Sequence, residues 1–319
     1  MKIRTEIKLK PEKNRIDHNS SVVLIGSCFS EHMEQKLDHY KFDQFTNPSG
    51  IVFHPRAIEK SIGSCVDQKE YCRKDLIQKG ELWLSLDHHS RFSGTDPELV
   101  LENINQSIAK GYLALKNASH LIITLGTSWA YRWTGTGAFV ANCHKIPQSN
   151  FEKVLLSGEE TVLSLKNTVN KVREINPELE VIFTLSPVRH LKDGFVQNNH
   201  SKALLHAAIQ KMSQEEKIHY FPAYEIMMDD LRDYRFYKSD MIHPSDEAVA
   251  YIWEQFANAW ISDESRQLMT EIEDIQRALQ HKPFDPGSEA HQVFLEQVDQ
   301  KVQKLRLRHP QIKFNKKRK

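Results

Sequence analysis

The sequence contains no apolar run approaching the roughly 20 residues that a membrane-spanning helix requires, so an integral membrane protein is not expected. Its first residues, MKIRTEIKLKPEKNRIDHNSS, start basic and stay polar. They lack the apolar stretch of about 7–15 residues that a secretory leader carries. Cysteine is scarce: Cys28, Cys65, Cys72 and Cys143 are too few for a disulfide scaffold and lack metal-finger spacing, which points to free thiols in a reducing cytoplasm. Charge of one sign is not in excess either. The 43 Lys+Arg against 42 Asp+Glu leave a net charge of +1, a balance that argues against a nucleic-acid-binding body. The basic run Lys316–Lys319 reads as a solvated tail. A P-loop and a dinucleotide glycine fingerprint are absent, and with them the expectation of phosphoryl-transfer or nucleotide chemistry. No cofactor and no metal are expected. What is present is a chain of 319 residues, 39% hydrophobic and 27% charged, enough for one large domain or a core with an extension.

Short β-branched runs alternate with longer helical patterns. Val22–Gly26, His120–Gly126 and Val181–Ser186 are nearly continuous apolar segments bounded by Gly, Ser or Pro, and Ile218–Pro222 is a plausible fourth. Strands buried on both faces of a parallel sheet have this pattern. Helices are expected over Ser30–Tyr40, Pro97–Asn117, Glu160–Ile175 and Ser201–Glu216. Strand and helix in alternation give an α/β fold with a mainly parallel, doubly wound sheet. Residues 42–94 are too long for a minimal crossover and read as an insertion, with a short strand at Leu82–Leu84. A second irregular stretch, Trp129–Asn150, includes Trp129, Tyr131 and Trp133 in strand-like alternation and a strand candidate at Ala138–Ala141. The α/β domain is therefore expected over 1–261. Beyond it, Leu268, Ile272, Ile275 and Leu279 mark one amphipathic helix, Lys282–Gly287 breaks it, and Phe294, Val298, Val302 and Leu305 mark another. Residues 262–319 thus form a helical extension, packed on the core or used for self-association.

Two local patterns carry chemistry. In Asp240-Met241-Ile242-His243-Pro244-Ser245, Ser245 is a good N-cap for the helix that follows. Asp240 and His243 then share the turn feeding that helix, where a carboxylate can fix the imidazole tautomer and leave Nε2 free as a base. The bland alternative is a capping loop with an incidental histidine. In Val22–Ser30, a buried strand ends at Gly26 and is followed by Ser27, Cys28 and a helix. Strand ends of an open α/β sheet form its ligand-binding rim, and a helix N-terminus favours a thiolate or an oxyanion. A strand-end cysteine is otherwise an ordinary small buried residue. Arg189 and His190 follow another strand end, and Arg189 has the fork to clamp a carboxylate or phosphate. His88 and His89 are adjacent, which in a strand sends them to opposite faces and argues against a shared metal.

These pieces, in this order, resemble the SGNH (GDSL-like) hydrolase superfamily. Within it, Ile25-Gly26-Ser27-Cys28-Phe29-Ser30 resembles the signature of the GSCFA-domain proteins, with Ser30 where that name has Ala. Thr124–Trp129, Asn142–Lys145 and Ser186–His190 are also similar to that family, over about residues 20–260. The resemblance implies a three-layer α/β/α fold and acyl transfer on an ester, as hydrolase or acyltransferase, with a small O-acylated carbohydrate as substrate. Aligned on Gly26, Cys28 falls on the nucleophile and Ser27 on the residue before it, so Cys28 is favoured over Ser27. The resemblance makes Gly50 an oxyanion donor. It makes Ser128 the second oxyanion donor, through its hydroxyl, where the superfamily has an Asn; one hydroxyl does not reproduce an amide NH₂, and the loss of one such donor costs about 2.7–4 kcal/mol. His144, Arg189 and His190 are left as candidates for substrate binding. The altered blocks also leave open a non-catalytic protein that keeps the fold and binds a small molecule or glycan.

Overall fold

The computed structural model describes residues 5–281, 283–285 and 287–314, so parts of the expected helix break and the basic tail lie outside the described residues. Five parallel strands form the central sheet: β1 (Ser21–Gly26), β2 (Asp43–Thr46), β5 (His120–Leu125), β9 (Glu180–Leu185) and β10 (Ile218–Phe221), in the order β10-β9-β5-β1-β2. Their registers tie Gly26 to Thr124, and Thr124 to Thr184, so the carboxyl ends of β1, β5 and β9 finish level on one rim.

Side chains alternate across this sheet, which explains the continuous apolar runs. Val23, Ile25, Leu121, Ile123, Val181 and Phe183 face one way, into a core with α2 (Pro55–Val66), α3 (Pro97–Asn117), α4 (Gly158–Arg173) and α5 (Phe195–Met212). Val22, Leu24, Ile122 and Ile182 face the other way, against α1 (Cys28–His39), the single turn α6 (Ala223–Glu225) and α7 (Asp246–Trp260). The result is a three-layer α/β/α arrangement.

Residues 42–94 are not simply inserted. β2 completes the sheet edge and α2 lays a buried face on the core, so the excursion is confined to the segment after α2, with its hairpin of β3 (Ile77–Lys79) and β4 (Leu82–Leu84). A second small antiparallel sheet joins β6 (Trp129–Trp133), β7 (Phe139–Val140) and β8 (Phe151–Leu155). The extension consists of α8 (Asp263–Gln280) and α9 (Glu289–Arg308), which bury Leu268, Ile272, Ile275, Val302 and Leu305 with Ile312 and Phe314. It docks on its own core. Met269 joins the α1/α7 cluster, Glu273 pairs with His39 at 2.6 Å, and Gln276 donates to the His39 carbonyl at 3.0 Å. Among the described residues, no helix is long and apolar enough to cross a membrane.

Candidate active site

The site starts where β1 runs out. Gly26 has φ of 152°, and a Cβ there would lie 2.3 Å from the Thr124 carbonyl oxygen, so only glycine allows β1 to pass this close to β5 before turning. Ser27 is the N-cap of α1: its hydroxyl accepts from the Phe29 N–H at 3.3 Å, and it is 2% exposed. Cys28 is the first helical residue and is only partly covered. The local geometry therefore distinguishes the two adjacent candidates: Ser27 is committed to the cap, and Cys28 sits on the rim. Burial pushes the Cys28 thiol above its ordinary value, and Glu31 adds to this. The N–H groups of Cys28 and Phe29, and the amine of Lys202, act in the opposite direction.

Asp240 and His243 are joined as their spacing suggests. Asp240 Oδ2 lies 2.7 Å from His243 Nδ1, while Oδ1 accepts the N–H groups of Ile242 at 2.9 Å and His243 at 3.0 Å. Those bonds hold the Asp240 carboxyl well below the usual range. An ionised carboxylate only accepts, so Nδ1 carries the proton and Nε2 is left as the basic nitrogen. Nε2 makes no hydrogen bond among the described residues. The side chains of His243 and Asp240 are 39% and 44% exposed. The loop is pinned to the rest of the rim by the Arg189 N–H, which donates to the Ile242 carbonyl at 3.2 Å. On the other side, His32, one turn along α1 from Cys28, senses the charge of His243.

The two expected oxyanion donors are occupied. The Gly50 N–H closes a turn onto the Asn47 carbonyl at 2.8 Å. Ser128 is fully buried, with its N–H on Ser201 Oγ at 2.6 Å and its hydroxyl on the Ser201 carbonyl at 3.0 Å. Ser128 is therefore a tether to α5, not a free donor. Asn47 opens the turn that Gly50 closes. It is buried, its Oδ1 accepts from the Gly26 N–H at 2.8 Å, and its Nδ2 has no partner.

His144 does not converge on Cys28: its Nε2 binds the Ser85 carbonyl at 2.8 Å, latching the β7–β8 connection to the segment after β4. Arg189 lays its guanidinium over Tyr237, 4.0 Å from the ring centroid, next to the His243 loop. His190 packs on Phe53 with ring centroids 5.1 Å apart, and its buried Nε2 has no partner. Burial, with Lys202 and His243 adding to it, depresses His190 to about 3, so its ring is neutral at physiological pH.

Sequence reasoning also missed the polar stripe of α5. Asn198 accepts from the His190 N–H, Ser201 holds Thr127 and Ser128, and Lys202 donates to the Ser186 carbonyl. One helix thus fixes the loops after both β5 and β9. The available signal was spacing: 198, 201 and 202 share the face of Leu205, Ala208, Ile209 and Met212, where an inward helix should be apolar. An open cleft of about 830 Å³ lies elsewhere, lined by Arg56, Lys60, Arg132, Phe139 and Lys171 among others, and none of the site residues borders it. Among the described residues, no group of three or more His, Cys, Asp or Glu is placed to hold a metal ion.

The fold thus presents, on one rim of a parallel α/β sheet, a cysteine at a helix N-terminus and an Asp–His pair. The chain belongs to the GSCFA family: the family's model matches residues 21–256, and that of the GSCFA domain protein, C-terminal domain, matches residues 272–319. No curated protein matches the chain. Among solved structures it is similar to a carbohydrate esterase family 3 from Talaromyces cellulolyticus, at 8% identity and TM-score 0.36 over 80% of this chain and 99% of that one. An acetyl esterase mutant with acetate ion gives 11%, TM-score 0.35, and coverages of 80% and 99%. An acetyl xylan esterase from the rumen bacterium Butyrivibrio proteoclasticus gives 12%, TM-score 0.38, and coverages of 77% and 66%.

Proposed function

We propose that this chain is an acyl-transfer enzyme of the SGNH kind, an esterase or acyltransferase in which Cys28 is the nucleophile. The observation that carries this reading is the placement of Cys28 at the first position of α1, on the rim that also receives the Asp240–His243 pair. His243, held in the Nδ1–H tautomer by Asp240, takes up a proton at Nε2 as the nucleophile attacks an acyl carbonyl. The Cys28 thiolate forms a thioester, and the alcohol leaves with a proton from His243. Water, or a second hydroxyl, then attacks the thioester and regenerates the thiol. The oxyanion is held by the Cys28 N–H, with Asn47 Nδ2 supplying the amide that Ser128 does not. Neutral His190, with its partnerless Nε2, faces the acyl or acceptor group. On the superfamily resemblance alone, an O-acyl group on a carbohydrate is the first substrate to try.

The test is intact-protein mass after incubation with a panel of activated acyl esters. Wild type and Ser27→Ala are expected to gain one acyl group, Cys28→Ala none, and His243→Ala far more slowly. An adduct that survives Cys28→Ala, or no adduct from any ester, overturns this reading and leaves a binding protein on the same fold.

A further inference from the structure

Every other described arginine pairs with a carboxylate or donates its guanidinium to a backbone carbonyl. Among the described residues, Arg189 does neither. Its guanidinium lies in the corner between two tyrosines, 4.0 Å from the Tyr237 ring centroid and 5.5 Å from that of Tyr234. The two rings are 6.2 Å apart and tilted by 44°. Tyr237 is buried, whereas Tyr234 is 65% exposed and forms the outer wall. The polar company in this corner is neutral: the Tyr237 hydroxyl faces the guanidinium, and burial holds that phenol above its ordinary value. Aromatic rings cover the face of a guanidinium and leave its N–H edge, in the guanidinium plane, without an acceptor. A half-buried arginine held in this way suits a carboxylate or phosphate, whose paired oxygens accept two parallel hydrogen bonds.

The corner belongs to the same backbone unit as the base. The Arg189 N–H donates to the Ile242 carbonyl at 3.2 Å, and Tyr237 bridges Pro244. The Lys238 N–H donates to the His243 carbonyl and the Ser245 N–H to the Phe236 carbonyl, both at 2.7 Å. The acids of this unit are committed elsewhere: Asp240 to His243, Asp233 to Arg235, and Asp246 to Lys238.

We infer that Arg189 is a substrate-binding residue that clamps a carboxylate or phosphate on the alcohol half of the ester, so that the substrate is an acidic ester. The placement rests on the proposed acyl-transfer function. There His243 gives its proton to the departing alcohol, so a side chain mounted on the His243 loop meets the alcohol and not the acyl chain. The alcohol without its acyl group keeps the clamped anion, and it therefore serves as a probe that needs no turnover.

The experiment is titration of the full chain, followed by nuclear magnetic resonance, with glucuronate, glucose 6-phosphate, glucose and acetate at constant ionic strength. Sugars are chosen because a carbohydrate is the first substrate to try. Wild type is expected to bind glucuronate or glucose 6-phosphate about tenfold or more tightly than glucose or acetate. Which of the two charged sugars binds better separates a carboxylate from a phosphate. Arg189→Met should lose the preference, and Arg189→Lys should keep only part of it, because an ammonium cannot form the paired bonds. Equal binding of charged and neutral sugars by wild type overturns the inference, as does binding of none of the four. A preference that survives in Arg189→Met, shown folded by circular dichroism, also overturns it. If the methionine variant does not fold, Arg189→Lys carries the test, and an unreduced preference in it overturns the clamp. Acetate bound as tightly as glucuronate would make this a bare anion site and overturn the placement on the alcohol. None of the probes is an ester. An Arg189-dependent preference without acyl adducts would retain the clamp and sink the acyl-transfer reading, and adducts without the preference would do the reverse.

Discussion

Cys28 and His243 share a rim but not a medium. Cys28 stands where Gly26, Ser27, Asn47, Ser128 and Lys202 are all buried and nearly all bonded, and burial is the largest influence on its thiol. The Asp240–His243 pair is held by a solvent-facing turn, and hydrogen bonds, not burial, depress its carboxyl. In a low-dielectric setting each misplaced charge is costly, so changes on the Cys28 side alter folding and reactivity together. In the exposed turn, water compensates most losses, so changes there leave stability nearly untouched.

Substitutions can break this contrast, and the largest expected effect is on the buried side. Gly26→Ala places a Cβ against the Thr124 backbone and is expected to lower stability by about 3 kcal/mol or more, measured by denaturant unfolding; a well-folded variant would show that β1 and β5 can separate. On the exposed side, Asp240→Asn should slow acylation roughly a hundredfold by releasing the imidazole tautomer, with a melting temperature close to wild type. A large fall in melting temperature would erase the distinction between the two halves. Next in size is Ser27→Ala, expected to cost about 0.5–2 kcal/mol through loss of the helix cap while the thiol still reacts.

Three pH effects sharpen the comparison further. Lys202 releases its proton at about 7 in the folded protein and near its ordinary value of 10.5 when unfolded. The unfolded chain binds more protons between those values, so stability rises with pH across that window, and Lys202→Met should flatten the slope. By the same sign rule, His54 and His88 at about 4 and His190 at about 3 make the protein lose stability as pH falls below 6.5. Melting temperature against pH, on wild type and His190→Phe, checks this. Asp240 has the same sign and gives the smallest effect: its depressed carboxyl stabilises above the ordinary carboxylate range, and that contribution fades as pH falls through the folded value.

The parts legible in sequence were those where one residue type does one job. β1, β5 and β9 announced themselves because strands covered on both faces need apolar side chains at nearly every position. Asp240 and His243 were legible because their contact is local. β2 was not: Asp43-Gln44-Phe45-Thr46 is an edge strand with no fully buried residue, so its composition resembles a loop. The start of α5 was placed too late because Asn198, Ser201 and Lys202 point inward to tie down loops, and polar residues at helical spacing normally indicate a solvent face. The choice between Ser27 and Cys28 depends on which of them caps α1, a matter of backbone angles that one-residue register cannot reveal. Ser128 was misjudged for a related reason, since its partner, Ser201, lies far along the chain.

The strap that closes the fold has a consequence for how the molecule is made. Ile16 pairs with Ile261, its N–H bonds the Trp260 carbonyl, and its own carbonyl receives the Ser262 N–H, so the segment before β1 is anchored by residues translated long after it. The sheet is built in the same way, because β1 lies between β2 and β5 and needs both neighbours. On the ribosome, Cys28 therefore emerges early and waits until β9 and then the His243 loop, which complete its rim, have been synthesised. A nascent chain stalled after β5 would expose a thiol that the finished protein partly covers.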